Sequence, residues 1–186
     1  LSYSSATCGV NGSIQLSSLG SPQDITPVCP SVPSACGGSG NYGIQEWLYT
    51  GILNLPPGCG ADWVLGWSQC CRNNAINTLN GPGSQNMYVG AQLDNTIVPC
   101  NNSPTFNNAP GSIVCVNQPV VYNHGVSDAD GDSLYFSLGN CFQANGSSVT
   151  YNGGFNGTTP LTTSSGVSIN PNTGALSFTP TALQVG

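Results

Sequence analysis

Charge is what this sequence has least of. Across 186 residues there is no lysine, one arginine (Arg72) and seven carboxylates, for a formal charge of -6. A chain with a single cation cannot neutralise phosphates, which excludes nucleic acid and anionic membrane surfaces as partners and leaves neutral polar ligands or cations. No apolar run is long enough to span a bilayer, and no signal peptide is present, so an export signal is expected to have been removed or to lie outside these residues. Long helical periodicity is missing too. No CxxC pair points to zinc or redox chemistry, and no GxSxG accompanies the single histidine, His124, so neither a metal ligand nor a catalytic dyad with Asp128 is read from it. Glu46, Asp62 and Asp94 could be imagined as paired carboxylates for glycoside hydrolysis, but nothing in their spacing specifies a cleft. No catalytic residue is assigned.

What the chain does have is cysteine, glycine and hydroxyl and amide side chains. Its tryptophan, tyrosine, phenylalanine, valine and isoleucine are enough to build a core, unlike a disordered chain of equally low charge. Nine cysteines (Cys8, Cys29, Cys36, Cys59, Cys70, Cys71, Cys100, Cys115 and Cys141) point to structural disulfides in an oxidising compartment. The odd count leaves one thiol to pair elsewhere, and the pairing stays open. Side chains of adjacent residues on a strand diverge, so Cys70 and Cys71 are expected in two separate bridges rather than one vicinal bridge.

Apolar residues alternate over short runs bounded by Gly, Pro and Asn, the strand signature. The clearest run is Trp63 to Trp67, with Trp63, Leu65 and Trp67 on one face. Others are Glu46 to Leu53, Met87 to Leu93, Ser112 to Val116, Val120 to Tyr122, Ser133 to Leu138 and Ala175 to Thr179. The run Ile169-Asn170-Pro171-Asn172-Thr173-Gly174 leading into Ala175 predicts a hairpin with Gly174 at positive φ. The fold class expected is all-β, two tandem disulfide-rich β-sandwich modules: residues 1–99 immunoglobulin-like and residues 100–186 cadherin-like, with the boundary in the polar, proline-punctuated stretch near Cys100. Both ends read as cut, which would open a sandwich edge to a strand from another chain.

Ser127-Asp128-Ala129-Asp130-Gly131-Asp132 is the sharpest local motif. Three carboxylates at alternate positions, bent around Gly131, can turn hard oxygens toward one point, as Ca²⁺ requires. With no lysine to offset them, a cation is the economical solution. The twelfth loop position is Gly139 rather than a bidentate Glu, which excludes an EF-hand. Arg72, in a Cys-Cys-Arg-Asn context, is read as pairing with a carboxylate or with backbone carbonyls.

Asn101-Asn102-Ser103-Pro104-Thr105-Phe106 followed by that acidic loop resembles the linker and loop of cadherin-like modules. The resemblance implies Asn102 as a carbonyl ligand beside Asp128, Asp130 and Asp132. The acidic residues that precede the Asn in cadherin linkers are absent, so a single ion is expected. A wider resemblance is carried by Leu55-Pro56-Pro57-Gly58-Cys59-Gly60-Ala61-Asp62-Trp63, Trp67-Ser68-Gln69-Cys70-Cys71-Arg72-Asn73-Asn74-Ala75-Ile76, Asn101-Asn102-Ser103-Pro104, and Val114-Cys115-Val116-Asn117-Gln118-Pro119 with Tyr122-Asn123-His124-Gly125. In that order these are similar to giant surface proteins of Bacteroidetes, the gliding-motility adhesins exported by the type IX secretion system. The resemblance implies a non-catalytic segment at the bacterial cell surface whose partners are neighbouring copies or modules, or a surface glycan. Two alternatives stand beside it: a repeating subunit of an extracellular filament, and a carbohydrate-binding module of a larger secreted protein. For the last, Tyr42, Tyr49 and Tyr151 lie in Gly-rich or polar surroundings and are the surface candidates, whereas Trp63 and Trp67 read as core.

Overall fold

The computed structural model describes residues 1–29, 31–38, 43–97, 100–110 and 113–184. Among them the chain is all-β, as the alternation predicts, with two single-turn 3-10 segments and no α-helix. The strands up to Leu93 are β1 (Ser2–Ser5), β2 (Val10–Ser13), β3 (Ser17–Ser18), β4 (Gln23–Asp24), β5 (Gln45–Glu46), β6 (Tyr49–Thr50), β7 (Trp63–Gln69) and β8 (Met87–Leu93). Beyond them come β9 (Thr105–Phe106), β10 (Val120–Tyr122), β11 (Val126–Ser127), β12 (Phe142–Ala144), β13 (Ser147–Ser148), β14 (Ser168–Ile169) and β15 (Leu176–Phe178). No helix of the described residues is long and apolar enough to cross a membrane.

The main sheet is antiparallel in the order β13-β12-β8-β7-β1-β2. Its spine is β7 against β8, paired from Trp63↔Leu93 to Gln69↔Met87. The two-residue period sends Trp63, Leu65 and Trp67 to one face together with Tyr3 of β1. Trp63 is completely buried there, with the Tyr3 ring 6.4 Å away. Removing about 200 Å² of tryptophan surface from water at ~25 cal/mol per Å² stabilises this face by about 5 kcal/mol.

Two devices fasten β1 and its turn to the start of β7. Cys8 and Cys59 are bridged across a sequence separation of 51. Beside them Asp62 accepts from the Ser5 hydroxyl at 2.5 Å, from the Thr7 hydroxyl, and from the Ala6 and Thr7 N–H groups at 3.0 Å each.

The main sheet runs across the boundary expected at Cys100. The β12–β13 hairpin lies on β8 through Phe142↔Tyr88, and a bridge joins Leu79 to Tyr151. Arg72 reinforces this junction. Its Nε donates to the Asn86 carbonyl at 3.1 Å and its guanidinium to the Phe142 carbonyl at 3.0 Å, so the lone cation binds backbone carbonyls. Gln85, buried, acts as a strand in miniature: its amide donates to the Asn80 and Thr150 carbonyls at 2.6 and 3.1 Å and accepts from the Thr150 N–H at 2.6 Å. Leu79 and Val149 are buried on the two sides of this contact.

Residues 100–138 and 161–184 form smaller units. One sheet is ordered β10-β15-β14, and β9 pairs with β11. The expected hairpin is present: Ile169 faces Leu176, Gly174 has φ +69°, and the Asn170 side chain accepts from the Asn172 and Thr173 N–H groups.

Several expectations are corrected. Cys70 and Cys71 are bonded to each other across a cis peptide, with Cα atoms 3.1 Å apart. They stand just past the end of β7, where strand alternation no longer separates adjacent side chains. Cys29, Cys36, Cys100, Cys115 and Cys141 carry no bridge. The run from Glu46 to Leu53 is broken into two-residue strands, β5 pairing with β4 and β6 with β3. Ser133 to Leu138 keeps its alternating exposure but, among the described residues, has no ladder partner, its one backbone tie there being Phe136 N–H to the Pro171 carbonyl at 2.9 Å. The run from Ser112 lies partly outside the described residues, and its described part, 113–116, is not a strand.

Candidate functional site

The β9–β11 ladder builds the acidic site. Thr105↔Ser127 and Phe106↔Val126 pair the end of the Asn101–Pro104 linker with the start of the acidic loop. Asn107 tightens the pair by donating to the Gly125 carbonyl at 2.6 Å and to the Ser127 hydroxyl at 3.1 Å. Behind it His124 packs edge-on to Tyr122 and Phe106, with ring centroids 4.8 and 6.0 Å apart, which gives the histidine a structural place.

Within the loop, Asp128 accepts from the N–H groups of Asp130 and Asp132 at 2.9 and 3.1 Å, closing the chain over itself, and Gly131 supplies the bend at φ +80°. Asp128, Asp130 and Asp132 then bring one carboxylate oxygen each within 4.8 Å of one another. Across 28 residues of sequence, Asp130 accepts from the Asn102 N–H at 2.5 Å and from its side-chain nitrogen at 2.9 and 3.2 Å. That backbone N–H, and with it the side-chain amide, holds the Asp130 carboxyl below the usual carboxylate range. The four residues picked out in the sequence are thus gathered at one place, although it is the amide nitrogen of Asn102, not its carbonyl, that faces Asp130. Hard carboxylate oxygens converging from one short loop are the donor chemistry of a Ca²⁺ site.

Asp24, Asp62 and Asp94 are engaged in turns. Hydroxyls of Ser34 and Thr26 hold Asp24 down to about 2, and those of Ser5 and Thr7 hold Asp62 likewise at about 2. Asp94 is lowered by the Thr96 hydroxyl and N–H, at 2.6 and 2.8 Å. Asp24 and Asp94 close their own turns, and Asp62 closes the turn after β1.

Of the tyrosines proposed as a surface platform, Tyr49 is half exposed on β6. Tyr151 is half-buried: it lines a partly open, mostly apolar cavity of about 120 Å³ with Leu79 and Ile76, and its hydroxyl accepts from the Cys141 N–H at 2.9 Å. Burial pushes its phenol up. Tyr42 lies outside the described residues. Tyr88, which no motif of the sequence marks, lies over Gly66 and Gly90 on the open face of the main sheet. Its signal was the pair of glycines, Gly66 and Gly90, in the interiors of the two clearest strands, where a glycine marks close approach.

No protein-family model, curated protein or solved structure matches this chain.

Proposed function

We propose that this chain is a non-catalytic segment of an extracellular bacterial surface adhesin, of the kind that Bacteroidetes export by the type IX system, stiffened by disulfides and by one Ca²⁺ at Asp128, Asp130 and Asp132. The observation that carries the reading is the tie between Asn102 and Asp130. It fastens the linker to the acidic loop, so that an ion held by the loop would also fix the linker. A chain in which Asp24, Asp62, Asp94 and Asp128 cap turns and the one arginine binds carbonyls spends much of its charge on rigidity, as suits a display element. The test has two parts. Antibody labelling and protease shaving of intact cells should place the protein outside, and a deletion strain should attach to surfaces less well. Ca²⁺ titration followed by thermal unfolding should raise the midpoint. Labelling only after lysis, or normal attachment by the deletion strain, would sink the adhesin reading.

A second reading, the repeating subunit of an extracellular filament, is favoured by surface area. The chain exposes 11910 Å², against about 8,400 Å² for a compact monomer of its mass. Val121, Tyr135 and Leu183 are each at least 74% exposed. Contact with neighbouring copies would cover such side chains. Electron microscopy of native material decides between helical arrays of one chain and single modules of a long one.

A further inference from the structure

We propose that the open face of the main sheet, centred on Tyr88, binds a neutral oligosaccharide. The proposal rests on the surface-display reading and names the class of ligand displayed to.

The register dictates what this face contains. Pairing Ser4↔Val64↔Gln92, Ser2↔Gly66↔Gly90 and Ser68↔Tyr88↔Phe142 stacks three rows of side chains on the side opposite Trp63. The rows hold hydroxyl and amide groups together with Val64 and two aromatic rings, Tyr88 and Phe142. Two open grooves of about 540 and 390 Å³ run along it and share Val64, Tyr88 and Asn145, so together they form one continuous trough.

The tyrosine is seated flat. A Cβ built on Gly66 would stand 2.6 Å from the Tyr88 hydroxyl oxygen, and one built on Gly90 2.8 Å from it, with ring carbons of Tyr88 almost as close in both cases. Only glycine at both positions lets the ring lie against the sheet backbone. The ring lies close over that backbone and lines both grooves. A half-buried ring held in this way offers an apolar plane at little entropic expense, because its rotamer is already fixed.

The chemistry around the ring selects the ligand. Among the described residues, neither groove is lined by a carboxylate, lysine, arginine or histidine, so nothing there recognises a charged group. Ser4, Asn11 and Ser68 in one groove, Gln92 in the other and Asn145 in both offer donors and acceptors in the same trough. A peptide strand would need free backbone groups, and those of β7 and β8 are spent in the ladder. An apolar plane ringed by neutral hydrogen-bonding groups matches a pyranose, which has an apolar C–H face and a rim of hydroxyls.

The probe is an array of neutral and acidic oligosaccharides, followed by calorimetry on the best neutral binder. Tyr88→Ala should weaken it about tenfold, and Tyr88→Phe less than about threefold, since the ring plane is kept. Asn145→Ala, in an exposed turn, should weaken binding several-fold with no change in thermal midpoint, which guards against a misfolded Tyr88→Ala. Retention of acidic glycans only, of no glycan at all, or neutral binding that survives both alanine variants overturns the proposal. Its failure is separable from that of the surface reading: a blank array with cells that still need this chain to attach rejects the glycan alone, whereas neutral-glycan binding by a protein not exposed on intact cells rejects the display.

Discussion

The main sheet and the acidic-loop region are held by opposite means. In the sheet, long registers meet a buried aromatic side chain, and a disulfide across a sequence separation of 51 pins the first turn to the segment that enters β7. Around the acidic loop the strands are two or three residues long, and side-chain caps, Asp128, Asn107 and Asn102 onto Asp130, hold the path. The sheet carries its stability internally. The loop region gathers like charges and leaves them short of counter-charge, which makes it the part whose stability a cation can set.

The most severe way to break this contrast is at Trp63. Trp63→Ala should cost about 3–5 kcal/mol in denaturant unfolding, because a fully enclosed side chain leaves a cavity that the sheet cannot collapse into. A loss below about 1 kcal/mol would mean that the sheet has no organising core. Next, replacing Cys8 and Cys59 together by serine should remove about 2–4 kcal/mol, the loop-closure contribution of a bridge of that span, with loss of protection from hydrogen exchange starting at the Ala6–Gly9 turn. Equal protection in both proteins would assign the fastening to Asp62 alone.

Ca²⁺ should act on the other region only. At a hundred times its dissociation constant it adds about 2.7 kcal/mol, and exchange protection should rise at residues 101–107 and 126–132 while the β7–β8 ladder is unchanged. Asp130→Asn should abolish the response. Protection spread evenly over both regions would erase the contrast. A smaller effect is expected at the seam between early and late sequence. Gln85→Leu keeps the volume but strands the Asn80 and Thr150 carbonyls and the Thr150 N–H, and should cost about 1–3 kcal/mol, with faster exchange in β12 and β13.

Much of this was legible in the sequence where chemistry is local. β7, β8, β10 and the hairpin into β15 follow from alternation and turn residues, and the acidic loop follows from its spacing. Pairing across the sequence was not legible. The run Phe142-Gln143-Ala144-Asn145-Gly146-Ser147-Ser148 has little apolar alternation to mark it, yet it completes the main sheet beyond Cys100. Ser133 to Leu138 shows the converse. Leu134, Phe136 and Leu138 are half-buried and their neighbours exposed, as the pattern says, but alternation reports which side is covered and not whether a ladder forms. Tyr88 was missed for a related reason: its significance lies in two glycines brought under it by register, and register is a property of the fold.

The gentlest probe is acid, and it compares the two regions through their carboxylates. Asp62 is held at about 2 by the Ser5 hydroxyl first and then by the hydroxyl and N–H of Thr7, against an ordinary value of 3.8. Its folded pKa is depressed, so the stability it contributes is fully present above about pH 4 and is lost as the pH falls through about 2. Asp130 is shifted in the same direction by Asn102, so acid should release the linker from the loop as it releases the first turn from β7. The two can be separated by carboxyl NMR titration. Ser5→Ala should raise the Asp62 midpoint and leave Asp130 where it is, and Ca²⁺ should move the Asp130 midpoint further down without touching Asp62. An Asp62 that titrates near 4 in the unaltered protein would show that the turn is held by the Cys8–Cys59 bridge, and that the sheet needs no charge to secure its edge.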